Sequence, residues 1–297
     1  GMSAGGASVH YHYFSPLSKG FSESGTALDP WAMQQNALQK AEQLATFVGC
    51  PTEYSRELVA CLKSRSGNEI TQQISKFSPA LGTTIAPFAP VVEKDYDGAF
   101  LTKHPYASLL EKTVTDVPWI VAVAEQEGYI FALNFADTFA EFLADFGKIA
   151  PHLLHYNSTI AEDEKPYVSS QIEDHYFQNS AGFEDLEQLI GDRLFFIGAD
   201  TSAKLQAKGN KSPVYFYILG YKGKHGIGEM FGKNSKNIGA SHGDGILYYF
   251  KTPISDEKLT DSDEKMKAFF LRWIVSFANN QEPKINEVKW QPVTGNE

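Results

Sequence analysis

The run VPWIVAVA at residues 117–124 is apolar throughout and lacks the alternation of polar and apolar residues that marks a strand with one wet face. An apolar run of this length is typical of a strand buried on both faces, as in a parallel sheet covered by helices. The run PVYFYIL at residues 213–219 has the same character. We therefore expect two buried, parallel strands near the centre of the fold.

Helical patterns occupy the segments around these two runs. Helices are predicted near residues 31–47, 55–64, 136–146, 168–176, 183–190, 200–207 and 262–279, with a short buried helix at residues 4–14 and a short strand at residues 25–28. Buried strands separated by long helical insertions are typical of α/β proteins. The sequence therefore predicts an α/β fold.

The composition excludes several classes of protein. The 297 residues carry a net charge of −10, whereas a nucleic-acid partner needs clustered Lys and Arg side chains. Apolar residues make up 42% of the chain, which is enough for a packed core. No stretch approaches the ~18 consecutive apolar residues of a membrane span. We expect a globular protein without a nucleic-acid partner and without a membrane span.

The chain opens with Gly1-Met2-Ser3-Ala4-Gly5, which fits the pattern G-x-S-x-G. In that pattern the serine occupies a strained turn between a strand and a helix, and the glycines allow the backbone to pass closely. Ser3 is therefore a candidate nucleophile, and the backbone N–H of Ala4 is a candidate donor to an oxyanion. The alternative is that Gly1 remains from a purification tag and that Met2 is a start residue.

A serine nucleophile needs a base and an orienting acid, which follow in the order serine, acid, histidine in this arrangement. Glu127 comes just past the first apolar run, and a tight turn at Gly128 would point it back into a site; Glu125 is the rival carboxylate. His242, in the segment GASHGD, follows the second run. Because sites form at the carboxyl ends of parallel strands, we expect Glu127 and His242 at one edge of the sheet.

A pair of histidines near the start of the chain raises the question of a metal site. His10 and His12 form an H-x-H pair, but a metal site needs a third ligand at a suitable spacing, and the sequence offers none. We expect these two histidines to be core or surface residues. The sequence predicts neither a metal nor an organic cofactor.

Two features bear on the compartment. Cys50 and Cys61, the only cysteines, lie 11 residues apart, which fits either one small disulfide loop or two free thiols. Asn157-Ser158-Thr159 is a sequon for N-glycosylation and adds modest weight for secretion. These residues alone leave a secreted and a cytoplasmic location open.

Several segments together resemble the type-B carboxylesterases, the cholinesterase-like family of α/β-hydrolases, and its insect members in particular. The resemblance is carried, in order along the chain, by GMSAGGASVH at residues 1–10, SGTA at 24–27, PWA at 30–32, GCP at 49–51, LVACL at 58–62, DVP at 116–118, EG at 127–128, PVY at 213–215, HGD at 242–244, WIVSFAN at 273–279 and WQPV at 290–293. Each segment is short, but ordered matches along nearly the whole chain are specific.

The resemblance implies an α/β-hydrolase fold in which Ser3 is the nucleophile, Glu127 the acid and His242 the base. It also implies that residues 1–297 are one partial domain, the carboxyl-side portion of a mostly parallel sheet. The upstream half, with a glycine-rich loop that supplies further oxyanion donors, would be missing. A piece of this kind, produced alone, is expected to fold poorly and to hydrolyse little.

The resemblance further implies a disulfide between Cys50 and Cys61, and with it a secreted or extracellular protein; a cytoplasmic location is the alternative. Ser24 would be a buried hydroxyl near the triad, and Trp31 would lie close to the acyl side of the substrate pocket. Asn157 is the candidate glycosylation site.

Two departures from the family pattern bear on the substrate. The residue before the nucleophile is usually acidic in this family but is Met2 here, and Gly245 stands where an acid is common after the histidine. The loss of negative charge favours neutral small-molecule esters, such as xenobiotic, odorant or hormone-like esters, over choline-like cations. The alternative to a turnover enzyme is an esterase-like protein that binds its ligand without catalysis, or that sequesters it by slow deacylation.

Overall fold

The computed structural model describes residues 1–14, 20–77, 86–178, 181–231, 239–252, 259–280, 282–285 and 289–295. The helices in these ranges are α1 Ala4–His12, α2 Ala37–Phe47, α3 Ser55–Ser64, α4 Gly67–Thr71, α5 Pro105–Leu110, α6 Tyr129–Ala132, α7 Phe139–Ala144, α8 Phe146–Leu153, α9 Lys165–Tyr176, α10 Phe183–Gly191, α11 Ile197–Gly209, α12 Ile246–Tyr249 and α13 Asp261–Asn280. Short 3₁₀ segments span Ile74–Phe77, Leu133–Thr138 and Ile227–Met230, and a π-helical turn spans Asp192–Phe196. Within these ranges, no helix combines the length and the apolar character that crossing a bilayer requires.

Three parallel strands form the sheet in the described part of the chain: β1 (Gly20–Glu23), β2 (Trp119–Ala124) and β3 (Val214–Leu219). Their order is β1–β2–β3, so that Ile120 in β2 pairs with Phe21 on one side and with Tyr215 on the other. Parallel neighbours need long crossovers; α2–α5 connect β1 to β2, and α6–α11 connect β2 to β3. The predicted α/β architecture is confirmed.

Strand β2 lies between two apolar cores. Side chains alternate across a strand, so Trp119, Val121 and Val123 pack into the larger core, whereas Ile120 packs into a smaller core that includes side chains of α13. All 6 residues of β2 are buried, in agreement with its unbroken apolar run. The sheet is therefore covered on both faces at β2.

Strand β3 departs from the prediction of burial on both faces. Phe216 and Tyr217 are half-buried, and Ile218 is 55% exposed. In the described ranges β3 pairs with β2 alone, so one of its sides lacks a neighbouring strand. Side chains of a strand point to the two faces of the sheet, and apolar composition does not reveal which elements pack over each face. The prediction of full burial is therefore wrong at Ile218.

The predicted strand at residues 25–28 is also wrong, because the strand lies earlier, at β1. Asp29 accepts hydrogen bonds from the backbone N–H of Thr26 (2.7 Å) and from its hydroxyl (3.2 Å). An Asp side chain that binds backbone groups a few residues away stabilises a turn. Residues 26–29 therefore form a turn just past the end of β1.

The helix predicted from residue 31 begins only at residue 37, where α2 starts. The indole N–H of Trp31 donates to the carbonyl oxygen of Leu194 (2.8 Å). The backbone N–H of Gln34 donates to the carbonyl oxygen of Pro90 (2.8 Å). These tertiary hydrogen bonds hold the segment before α2 in a non-helical conformation. Six other predicted helices correspond to α1, α3, α9, α10, α11 and α13, with ends that differ by a few residues. The helix predicted at residues 136–146 is divided between a 3₁₀ segment that ends at Thr138 and α7, and α8 begins only where that prediction ends.

Candidate active site

Ser3 lies in a strained turn between an extended segment and α1. Met2 forms a parallel bridge with Glu23, the last residue of β1, and the Ser3 N–H donates to the Glu23 carbonyl oxygen at 2.9 Å. The Ser3 backbone has φ 57° and ψ −125°, a conformation that costs a side-chain-bearing residue about 1–3 kcal/mol. The G-x-S-x-G pattern predicts such a turn.

Glycines allow the backbone to pass close to this turn. A Cβ on Gly25 would lie 2.1 Å from the Ser3 carbonyl oxygen, and a Cβ on Gly6 would lie 2.7 Å from the Gly25 carbonyl oxygen. Gly1 is crowded in the same way by Gly5, whereas a Cβ on Gly5 itself meets nothing within 4 Å among the described residues. The steric need for glycine therefore rests on Gly1, Gly6 and Gly25 more than on Gly5.

Ala4 is the first residue of α1, and it is exposed. The first N–H groups of a helix have no acceptor within the helix, and the helix dipole adds partial positive charge at this end. The Ala4 N–H therefore stands next to Ser3 as a donor suited to a developing oxyanion. The role of this N–H as an oxyanion donor stays a prediction.

Glu127 and His242, which are 115 residues apart in sequence, form a buried hydrogen bond. His242 Nδ1 lies 2.6 Å from Glu127 Oε2, and Glu127 Oε1 accepts the N–H of Ala124, the last residue of β2, at 2.6 Å. The Glu127 side chain is fully buried. Glu125 is exposed, so of the two candidate carboxylates the structure pairs Glu127 with the histidine.

Gly128 is required for a reason other than the predicted tight turn. Its φ of −73° is accessible to any residue, but a Cβ at this position would lie 1.9 Å from the carbonyl oxygen of Glu187 in α10. The backbone after Glu127 thus touches the backbone of α10. Close approach of two backbones, not a special dihedral angle, selects glycine here.

The loop that carries His242 is held by Asp244, which sequence reasoning missed as a functional residue. One carboxylate oxygen of Asp244 accepts the Ser241 N–H at 2.7 Å, and the other accepts the Ile227 N–H at 2.5 Å. Burial raises the pKa of Asp244, and these N–H donors oppose the rise. Ser241 also forms a parallel bridge with Gln126, which brings the histidine to the edge of the sheet where Glu127 lies.

Aromatic rings surround the imidazole of His242. The ring of Phe195 lies 4.8 Å from it and that of Phe131 lies 5.3 Å from it, between ring centroids. Trp31, which is buried, lies 5.9 Å from Phe195, so the tryptophan predicted near the pocket is one ring away from the histidine. No local pattern singles out Phe131 or Phe195, because their role depends on tertiary packing.

The Ser3 turn and the His242 loop touch through neighbours of both residues. A Cβ on Gly243 would lie 3.3 Å from the Met2 Cε, so the methionine side chain packs against the residue after the histidine. Ser24 is fully buried just past β1, with φ 53°, and its Oγ has no hydrogen-bond partner in the described part of the chain. The buried hydroxyl predicted at Ser24 is present at this edge of the sheet.

His10 and His12 do not form a site. His10 is fully buried and stacks on Trp119 at 4.2 Å; its Nδ1 accepts the Ala27 N–H, and its Nε2 lies 3.2 Å from Gln206 Oε1. Burial lowers the pKa of His10 to about 3, so the ring is neutral. His12 is exposed. Within the described ranges, no group of three or more His, Cys, Asp and Glu side chains could hold a metal ion.

The remaining candidate residues belong to other parts of the fold. A disulfide joins Cys50 and Cys61, with their Cα atoms 5.7 Å apart, beside a small apolar cluster between α2 and α3. Asn157 is half-buried, and its Oδ1 accepts a hydrogen bond from the buried Lys165 ammonium at 3.0 Å. Its amide nitrogen is the atom that a glycan would need.

Known proteins share this sequence and this fold. The chain is similar to venom carboxylesterase-6 of Apis mellifera and to a carboxylic ester hydrolase of Bombus ignitus, with 35% identity to each over 100% of the chain and over 56% and 55% of those proteins. In structure it is similar to juvenile hormone esterase from Manduca sexta with OTFP covalently attached, with a TM-score of 0.81 and 21% identity over 99% of this chain and 58% of that one.

The chain therefore spans about half the length of the curated relatives it matches. The match to the Carboxylesterase family extends over residues 1–297. Because that match covers the whole chain, and because the bee relatives align along all of it, the chain belongs to the carboxylesterase family.

Proposed function

We propose that this chain supplies the catalytic triad of a serine carboxylesterase, with Ser3 as nucleophile, His242 as base and Glu127 as orienting acid. The observation that carries the proposal is the buried 2.6 Å hydrogen bond between Glu127 and His242, at the sheet edge where the Ser3 turn also lies. Membership of the carboxylesterase family supports ester hydrolysis as the reaction class.

The first step forms an acyl-enzyme. With its Nδ1–H bound to Glu127, His242 uses its other nitrogen, Nε2, to take the proton of the Ser3 hydroxyl as the oxygen attacks the ester carbonyl carbon. The carbonyl oxygen becomes an oxyanion, and the N–H of Ala4 at the start of α1 stabilises it. When the C–O bond to the alcohol breaks, His242 returns the proton to the departing alkoxide, and the acyl group remains on Ser3.

The second step releases the acid. A water molecule gives a proton to His242 Nε2 and attacks the acyl carbon; the bond to Ser3 Oγ breaks, and that oxygen takes the proton back. The imidazolium exists only transiently, and the carboxylate of Glu127 stabilises it without accepting the proton itself. The products are one carboxylic acid and one alcohol, and Ser3 is regenerated.

The surroundings of His242 support neutral esters as substrates. The rings of Phe131 and Phe195 face the imidazole, and Trp31 extends this apolar wall. Met2 provides a thioether where the family usually has an acid. Without that negative charge, a cationic substrate has no ion-pair partner at this position, which favours uncharged groups. The names of relatives, such as juvenile hormone esterase of Tribolium castaneum at 29% identity, fit this class of ester.

Labelling with an organophosphate tests the nucleophile, in the complete natural protein that contains this sequence. We expect the peptide that carries Ser3 to gain the phosphoryl mass as p-nitrophenyl acetate hydrolysis disappears. Ser3→Ala should neither label nor turn over, whereas Ser8→Ala, which changes an exposed serine of α1, should do both. Labelling of folded protein at another serine, or full activity of Ser3→Ala, would contradict the proposal.

Pre-steady-state kinetics separate turnover from sequestration. A turnover esterase should release p-nitrophenol continuously. A burst of about one equivalent per active site, followed by a much slower phase, would indicate a protein that acylates and then holds its ligand.

A secreted or extracellular location is the second part of the proposal. The Cys50–Cys61 disulfide supports it, because disulfides persist in oxidising compartments. Asn157 would then carry a glycan, since Ser158 and Thr159 at its side are exposed. Mass spectrometry of this peptide from the natural source tests both points: unmodified Asn157 together with free thiols at Cys50 and Cys61 would refute the location.

We also propose that residues 1–297 form part of one larger hydrolase domain. The supporting observation is that the relatives are nearly twice as long and match this chain along all of it. The piece produced alone should show weaker near-ultraviolet circular dichroism than the complete protein and little hydrolysis of p-nitrophenyl acetate. Equal activity per mole would contradict this prediction.

A further inference from the structure

Glu23 is a buried carboxyl group that the proposed mechanism does not use. It ends β1 and is only 3% exposed. Its backbone forms one wall of the nucleophile turn: its carbonyl oxygen accepts the Ser3 N–H at 2.9 Å, and its N–H donates to the Gly1 carbonyl oxygen at 2.9 Å. A change in the backbone position of Glu23 would therefore also move Ser3.

The side chain of Glu23 contacts a second part of the proposed site, the loop that carries His242. A Cβ on Gly245, three residues after the histidine, would lie 2.2 Å from Glu23 Oε1 and 2.6 Å from Oε2. The Gly245 N–H donates a hydrogen bond to this carboxyl group. Any other residue at position 245 would collide with it, so the glycine and the buried acid fit together.

A hydrogen-bonded chain continues from Glu23 across the sheet. The hydroxyl of Tyr249 in α12 is hydrogen-bonded to the Glu23 carboxyl group and lies 2.7 Å from the hydroxyl of Tyr217 in β3. The contacts of Glu23 thus reach from β1, through the segment that follows His242, to β3. The family usually places an acid at position 245; here β1 supplies a carboxyl group in the space that Gly245 leaves.

The charges around Glu23 disfavour its ionised form. Burial raises the pKa of Glu23 to about 8; the carboxylates of Glu127 and Asp244 add to this rise, whereas the N–H of Gly245 opposes it. Tyr217 and Tyr249 are the titratable groups that approach from β3 and α12, and burial raises the pKa of each. At neutral pH the Glu23 side chain is therefore an uncharged acid.

We propose that Glu23 is a positioning residue of the triad: its buried carboxylic acid ties the Ser3 turn to the His242 loop. This inference rests on the proposed esterase function. Ionisation of Glu23 places a second negative charge near the buried carboxylate of Glu127. The repulsion between the two carboxylates acts on the loop that holds His242. Alkaline pH then loosens the alignment of base and nucleophile.

The pH dependence of stability follows from the same group. Because the pKa of Glu23 in the folded protein, about 8, lies above that of an unfolded carboxyl group, the folded state binds this proton more tightly. The stability that the proton provides is complete below the pKa of an unfolded carboxyl group; it falls as the pH rises above that value and is fully lost above about 8. A side chain of the same shape that cannot ionise removes this loss.

Glu23→Gln in the complete natural protein is the central test, with Glu125→Gln, the exposed carboxylate beside the site, as matched control. Between pH of about 7 and 9 we expect kcat/KM of the wild type and of Glu125→Gln to fall roughly five- to tenfold, and that of Glu23→Gln to change less than about twofold. The Tm of the wild type should fall as the pH rises from about 5 to about 8 and then level off, whereas the Tm of Glu23→Gln should stay level throughout.

Glu23→Ala, which removes the hydrogen bonds, should lower kcat at about pH 7 by roughly ten- to a hundredfold with KM nearly unchanged. Profiles of kcat/KM and Tm that coincide for wild type and Glu23→Gln would overturn the proposal, whether or not Glu23→Ala folds. A wild type that hydrolyses no ester at any pH would instead refute the esterase function, and the two Tm profiles would then decide the role of Glu23 alone.

Discussion

Glu127 accepts hydrogen bonds at both carboxylate oxygens although its side chain is fully buried. A carboxylate taken out of water without partners is destabilised by several kcal/mol, whereas a hydrogen bond to a charged group contributes about 1.5–3 kcal/mol. The Ala124 N–H fixes one oxygen, so the other is aimed at His242 Nδ1. The imidazole can rotate only by giving up this bond, so Glu127 fixes the orientation of the ring.

Glu127→Gln tests this orientation at the level of a single atom pair. The amide keeps the shape but loses the charge that stabilises the imidazolium, and it can donate to the histidine and favour the wrong tautomer. We expect kcat of p-nitrophenyl acetate hydrolysis to fall about 10³- to 10⁴-fold with little change in KM. Glu125→Gln should stay within about twofold at neutral pH. Equal losses in the two variants would mean that Glu127 has no special role.

At the scale of elements, the site depends on close contact between the end of β2 and α10. Gly128 follows the acid and lies against the carbonyl oxygen of Glu187, with no room for a Cβ. Gly147 in α8 offers a contrast, because a Cβ there meets nothing within 4 Å. Two glycines with ordinary helical or near-helical dihedral angles thus differ only in their packing.

We predict opposite effects of alanine at these two glycines. Gly128→Ala forces the segment after Glu127 away from α10 and should lower the free energy of unfolding by about 1–3 kcal/mol, with a loss of kcat. Gly147→Ala should raise the free energy of unfolding by about 0.5–1 kcal/mol and leave kcat unchanged, because alanine restricts the unfolded chain. Urea denaturation and steady-state kinetics measure both. A neutral Gly128→Ala variant would show that the contact is not needed.

The limits of sequence reasoning are visible in the same elements. Strand β2 and helices α3 and α10 agree with their predicted positions, because their apolar patterns match the burial that they have. The turn at residues 26–29 was predicted as a strand because a short apolar segment does not reveal that Asp29 accepts hydrogen bonds from Thr26. Helix α2 begins late because Trp31 bonds to Leu194, a residue that lies far along the chain.

On the scale of the whole molecule, β2 connects two cores that lie on opposite faces of the sheet. Trp119, Val121 and Val123 belong to the larger core, and Ile120 to the smaller core beside α13. Glu127 follows directly from this strand, so the position of the acid depends on packing on both faces. Ile218 in β3, by contrast, is 55% exposed.

Matched isoleucine truncations test this arrangement in the complete protein. Ile120→Ala leaves a cavity and should lower the free energy of unfolding by about 2–5 kcal/mol, whereas Ile218→Ala should change it by less than about 0.5 kcal/mol. Chemical denaturation followed by tryptophan fluorescence measures the difference. Similar losses in both variants would mean that β3 is covered in the complete protein.

Local patterns in the sequence are enough to predict the fold class and the candidate nucleophile. Apolar runs, helical periodicity and the motif around Ser3 are local patterns, and local patterns carry information on strands, helices and turns. The positions of Glu127 and His242 after the two apolar runs made them the candidate acid and base, and the resemblance to carboxylesterases assigned them the same roles. These inferences needed no knowledge of which distant residues meet.

The tertiary structure determines which residues that are distant in sequence become neighbours in space. Packing brings Glu127 within hydrogen-bond distance of His242 across 115 residues of sequence and leaves Glu125 exposed. Only packing buries Glu23 against Gly245, where desolvation and the neighbouring carboxylates change its chemistry. The physical reason is that electrostatic environment and steric fit depend on neighbours in space, and spacing along the chain does not specify those neighbours.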